Sequence, residues 1–133
     1  MLKKLSGLLV CMSLSGCSSG IYIYVFNNTE YVIRAYGIDE NVLISPGEIK
    51  HTEVINIFKL CINEKLYEYS VQDNAPPGKF YGTRHFPKHS VHLQVEDKGE
   101  LVLGMPSANY PIEATSQPLG YPVLPNEIGR CKI

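Results

Sequence analysis

Residues 21–26 alternate aliphatic and aromatic side chains (Ile-Tyr-Ile-Tyr-Val-Phe), the period-two pattern of a β-strand with two unlike faces. Ile21, Ile23 and Val25 share one face, and Tyr22, Tyr24 and Phe26 share the other. Asn27-Asn28-Thr29 then signals a turn, and residues 31–38 read as a second strand broken by Asp39-Glu40-Asn41. A short third strand at 42–45 ends in Pro46-Gly47, a pair suited to the centre of a type II turn. Between 49 and 62, Val54, Ile55, Ile57, Leu60 and Ile62 predict one or two further strands. Asn63-Glu64-Lys65 turns the chain into another arm at 66–71. Residues 72–79 contain Asp-Asn-Ala-Pro-Pro-Gly and read as a loop, and 81–86 as a short strand or extended loop. The clearest hairpin follows: Val91, Leu93 and Val95 alternate with His92, Gln94 and Glu96, Asp97-Lys98-Gly99 turns, and Leu101-Val102-Leu103 returns.

After Gly104 the alternation stops. Pro106, Pro111, Pro118, Pro122 and Pro125 make residues 105–133 an extended, proline-rich tail. No segment has a helical period and no repeat is visible. Seven or eight short strands joined by turns predict an all-β domain, a small antiparallel sandwich or barrel spanning residues 21–133. Without helices to cover a parallel sheet, a doubly wound fold is not expected.

Composition supports this picture. A chain of 133 residues, 44% hydrophobic and 19% charged, has room for one globular domain. Nine tyrosines against four phenylalanines and no tryptophan lean towards half-buried strands.

The N-terminus carries different chemistry. Met1-Leu2-Lys3-Lys4 is a short positive segment, residues 5–14 are apolar apart from Ser6, Gly7 and Ser13, and Leu14-Ser15-Gly16-Cys17 follows. An apolar run of about ten residues, rising ~1.5 Å each, is too short to cross a hydrocarbon core of about 30 Å. The ordered sequence of charge, apolar run, small residues and cysteine resembles the lipobox of bacterial lipoprotein precursors. The resemblance covers residues 1–17. It implies that residues 1–16 are removed and that a diacylglyceryl group sits on the Cys17 sulfur, in many bacteria with a third acyl chain on its amino group. Two or three chains make such an anchor stable where one is marginal. Ser18, where an aspartate would resemble an inner-membrane retention signal, implies the periplasmic face of an outer membrane. Residues 17–20 then form a short tether, with only Ser18-Ser19-Gly20 before the first strand, about 10 Å at full extension.

Loss of Lys3 and Lys4 leaves ten basic residues against thirteen acidic ones. With no basic block, neither nucleic-acid binding nor polybasic attraction to anionic lipid is expected.

The four cysteines acquire three fates on this reading. Cys11 leaves with the signal, Cys17 is lipidated, and Cys61 and Cys131 remain. In an oxidising compartment the remaining pair is expected to form a disulfide, fastening the tail to the sheet; two free buried thiols are the alternative. His51, His85, His89 and His92 raise the question of a metal. However, His89 and His92 point to opposite faces if both are extended, and Pro87 breaks any helix that would pair His85 with His89. Solvated histidines without metal or other cofactor are expected. The chain has no Gly-x-Ser-x-Gly elbow, no HExxH and no phosphate-binding glycine loop, so nothing points to an enzyme.

Two features suit binding. Tyr22, Tyr24, Tyr31, Tyr36, Tyr67 and Tyr69 offer an aromatic set, for recognition or for the sheet's own packing. Residues 117–122 (Gln-Pro-Leu-Gly-Tyr-Pro) offer a segment that either docks on a partner or wraps its own domain. The expectation is a lipid-anchored, protein-binding module of the envelope, either an immunity or inhibitor lipoprotein or an accessory part of an assembly such as a secretion apparatus. The alternative is a small-ligand or lipid-binding β-barrel, which needs an apolar internal cavity and is disfavoured by a filled core.

Overall fold

The computed structural model describes residues 20–70, 89–105, 108–113 and 116–133. Among the described residues there are nine strands: β1 (Ile21–Asn27), β2 (Ile33–Tyr36), β3 (Asn41–Ile44), β4 (Ile49–Val54), β5 (Ile57–Ile62), β6 (Lys65–Ser70), β7 (His89–Val95), β8 (Leu101–Leu103) and β9 (Asn126–Arg130). They form two sheets, ordered β4-β1-β7-β8 and β3-β2-β5-β6-β9. No helix occurs among the described residues. The all-β expectation holds, as a sandwich rather than a closed barrel. The loop expected at 72–79 and the element expected at 81–86 lie outside the described residues.

The inner faces are the ones the alternation marks. Ile23 and Val25 of β1, Val91, Leu93 and Val95 of β7 and Leu101 and Leu103 of β8 lie buried in the hydrophobic core. From the other sheet Ile33, Ala35, Phe58, Leu60, Ile62, Tyr67 and Tyr69 join the same core. Burying an aliphatic or aromatic side chain of this size contributes about 1.5–3 kcal/mol, so these rows are the main stabilisation of the sandwich. Tyr69 also satisfies its hydroxyl, which donates to the Gly99 carbonyl at 2.5 Å.

The turns use the residues that their geometry requires. Pro46-Gly47 lies at the centre of a turn closed by Glu48 N–H donating to Ser45 O, with Gly47 at φ 78°. Asn63 and Glu64, at φ 49° and 65°, make the two-residue link between β5 and β6 with the paired left-handed conformation that tight hairpins favour.

Asn27, fully buried at the end of β1, ties the sheets together. Its Nδ2 donates to the carbonyls of Tyr31 (2.7 Å) and Ile44 (2.9 Å). Its Oδ1 accepts from the backbone N–H (2.9 Å) and hydroxyl (2.7 Å) of Thr29.

Two features depart from the sequence reading. β1 pairs antiparallel with β4 but parallel with β7, so the sheets are not antiparallel throughout. Alternation assigns faces and says nothing about strand direction. In addition, the end of the tail is a strand: β9 pairs antiparallel with β6. Pro125 is the last proline, so residues 126–130 keep every N–H a ladder needs.

Candidate functional site

The described tail residues 108–113 and 116–125 lie against the domain ahead of β9, and side-chain amides hold them at two points. On the outer face of the four-stranded sheet Tyr110 stacks on Phe26, with ring centroids 5.1 Å apart. Gly104 makes room for this, because a Cβ there would run into the Tyr110 hydroxyl. Two residues on, the Gln94 side chain grips the Ile112 backbone through both its N–H and its carbonyl. Further along, the Gln117 side chain accepts from Leu103 N–H at 2.7 Å and donates to Leu103 O at 3.0 Å. Val123 then exchanges two 2.9 Å backbone bonds with Leu101. Gln117 and Val123 together fill the outer backbone bonds of the β8 edge, which would otherwise invite another strand.

Between these two fixed points the chain makes a turn over residues 118–121. Tyr121 N–H donates to Pro118 O at 3.0 Å, and Gly120 takes φ 91°. Leu119 stands at the tip with a relative exposure of 101%, and Leu124, just beyond the bridge, is 72% exposed. Tyr121 and Val123 instead pack against the core. Of the segment 117–122 singled out in the sequence, most therefore wraps its own domain and one leucine projects fully into solvent.

The aromatic set divides. Tyr67 and Tyr69 belong to the core. Tyr31 and Tyr36 lie on or beside β2 towards its two ends, partly buried. Tyr22 and Tyr24 remain on the outer face of β1, as their alternation predicts, and there the register builds a row. Tyr24 lies opposite His51 of β4 and His92 of β7. Its ring is stacked on His92 at 4.6 Å and tilted against His51 at 5.1 Å, while Tyr22 meets His51 edge-on at 6.1 Å. Burial pushes the His92 imidazole below its usual pKa, and its Nδ1 is buried with no hydrogen-bond partner among the described residues. Burial likewise raises the Tyr110 phenol. Sequence reasoning missed the His51–Tyr24–His92 row because it depends on pairings between strands far apart in the chain. The only local signal is that each of the three sits on the outward phase of its own strand.

The cysteine expectation is met: Cys61 and Cys131 form a disulfide, with Cα atoms 6.0 Å apart and a sequence separation of 70. Cys61 is fully buried on β5, and Cys131 N–H donates to Glu64 O at the β5–β6 turn, so the bond fixes the chain just after β9. Cys17 and His85 lie outside the described residues. His89 begins β7. Among the described residues no three His, Cys, Asp or Glu side chains converge in a manner that would hold a metal ion.

The arrangement offers an apolar tip on a turn bonded at both ends and an aromatic–imidazole row. Compared with protein-family models, curated proteins and solved structures, the chain finds no significant match.

Proposed function

We propose that the protein is a lipoprotein, anchored through Cys17 to the periplasmic face of the outer membrane, that binds another envelope protein through the Leu119 turn. The observation that carries this reading is Leu119 itself, an apolar side chain wholly in water on a loop held at both ends by the Gln117–Leu103 and Val123–Leu101 bonds. A loop already ordered loses little further entropy on binding, and a protruding leucine fits a partner's apolar pocket. The filled space between the sheets supports a binding module over a carrier, since Phe58, Leu60, Tyr69, Ile23 and Val25 leave almost none of their surface accessible. An immunity or inhibitor role and a role in an envelope assembly both use such a surface.

The test is a pull-down from detergent-solubilised envelope with the lipidated chain and its Leu119→Asp variant. Losing about 1.5–3 kcal/mol of apolar burial weakens capture ten- to a hundredfold. Equal capture by both forms, or no stoichiometric partner for either, removes the proposal.

A further inference from the structure

We infer that the end of the sandwich formed by Ile38, Ile55 and Ile57 rests in the interfacial layer of the membrane that holds the Cys17 anchor. The inference deepens the proposed anchoring and rests on the lipid reading of Cys17.

Three observations place the surface. First, it lies where β1 begins. Ile21 pairs with Val54, Ile38 N–H donates to Glu53 O at 2.8 Å, and Ile57 pairs with Ser70 at the end of β6. Gly20, the last residue before β1, is packed so closely that an added Cβ would lie 2.8 Å from Glu53 Cγ and 3.0 Å from Val54 O. The chain therefore leaves the sandwich towards Cys17 beside these isoleucines.

Second, the three side chains are exposed together, at 46%, 43% and 47%, and line one shallow depression with Tyr36 and Lys59. Ile55 and Ile57 flank a tight turn in which Ile57 N–H donates to Ile55 O at 2.6 Å and Asn56 takes φ 62°. A three-residue turn of this hand is rare and strained. Here it projects two isoleucines from the tip of a β-connection.

Third, the tether is too short to hold this end away from lipid. Ser18-Ser19-Gly20 spans about 10 Å at most, and each polar layer of a bilayer is roughly 5–8 Å thick. A chain whose acyl groups lie in the hydrocarbon thus starts β1 within or just above the headgroups. Asp39 and Glu40, exposed on the adjoining β2–β3 connection, limit the depth, because carboxylates stay in the hydrated layer. Insertion is shallow, as for other interfacial elements whose apolar side sits at the acyl boundary.

The chain has no tryptophan, so a single one reports its own surroundings. The full lipidated chain is prepared as Ile55→Trp and, at the opposite end, as Val32→Trp. Both are reconstituted into phosphatidylethanolamine vesicles with brominated acyl chains, and palmitate incorporation is measured in parallel. Docking predicts that the I55W emission is blue-shifted and largely quenched by the bromines, that V32W emission is unchanged, and that adding Ile38→Ser and Ile57→Ser to I55W abolishes the quenching. If I55W stays unquenched while the chain carries palmitate and floats with vesicles, the docking surface is wrong and the anchor stands. Equal quenching of I55W and V32W also overturns it, as does I55W shielded from an aqueous quencher but not reached by brominated lipid, which would mean a protein covers this end. If Cys17→Ser leaves palmitate labelling unchanged, the anchor reading itself fails and the inference with it.

Discussion

Gln94 and Ile112 pair as though they belonged to adjacent strands, although one contributes a side chain and the other a backbone. Gln94 Nε2 donates to Ile112 O at 2.9 Å and Ile112 N–H donates to Gln94 Oε1 at 2.8 Å. A side-chain amide carries the same donor and acceptor as a peptide group, so it serves as one rung of a ladder for a chain that prolines keep out of the sheet. Gln117 repeats the device in the reverse sense on Leu103.

The first prediction follows from this pair. Gln94 is fully buried, and Gln94→Leu keeps its approximate size while leaving the Ile112 N–H and carbonyl without partners. Ile112 is only partly buried, so each abandoned group costs towards the lower end of about 1–3 kcal/mol and the variant loses about 2 kcal/mol in urea unfolding. Limited proteolysis within residues 108–113 accelerates alongside. An unchanged midpoint would show that the clamp carries no stability.

Asn27 supplies a harsher case. Asn27→Ala removes four hydrogen bonds at a fully buried site and leaves the carbonyls of Tyr31 and Ile44 and the Thr29 N–H to find other partners. The expected loss is about 3–5 kcal/mol, more than at Gln94, because the link joins strands of both sheets. Thermal denaturation of the two variants side by side tests the order as well as the size.

Reducing the Cys61–Cys131 bond, or replacing both residues with serine, frees a loop spanning 70 residues. The loop-entropy model assigns about 4 kcal/mol to closing it. Hydrogen exchange should show the loss first in β9, which the bond fixes beside β6, with β1 and β7 least affected. Uniform loss across all strands would contradict this.

The pH dependence has a definite sign. Burial holds His92 below the ordinary histidine value of 6.5. Above that value the ring is neutral in the folded and unfolded chain alike, and the full stability is present. As pH falls below it the unfolded chain takes up the proton first, so stability drops until the lowered folded value is passed. Glu48 acts in a separate window: its carboxyl, lowered chiefly by the Ser45 N–H it accepts at 2.9 Å, loses its contribution only below the usual 4.5. Melting temperature should therefore decline in two stages on acidification, and His92→Gln should remove the upper one. A variant that still shows both stages would place the titration elsewhere.

What the sequence determined by itself was the class of the fold and its two faces. Alternation in β1 and β7 separates Ile23, Val25, Leu93 and Val95 from Tyr24, His92 and Gln94 without any knowledge of neighbours, because period two is a property of the strand alone. The turns at Pro46-Gly47 and Asp97-Lys98-Gly99 were equally local, whereas the Cys61–Cys131 pairing was an expectation that rested on the lipobox resemblance and that the tertiary structure supplies. Tertiary structure decided which strands meet. The register of β1 with β4 and β7 brings Tyr24 level with His51 and His92, and the Gln117–Leu103 and Val123–Leu101 bonds leave Leu119 as the exposed tip of the turn between them. Those relationships depend on closing long loops between segments whose patterns are individually ambiguous in direction and order, so no local periodicity encodes them.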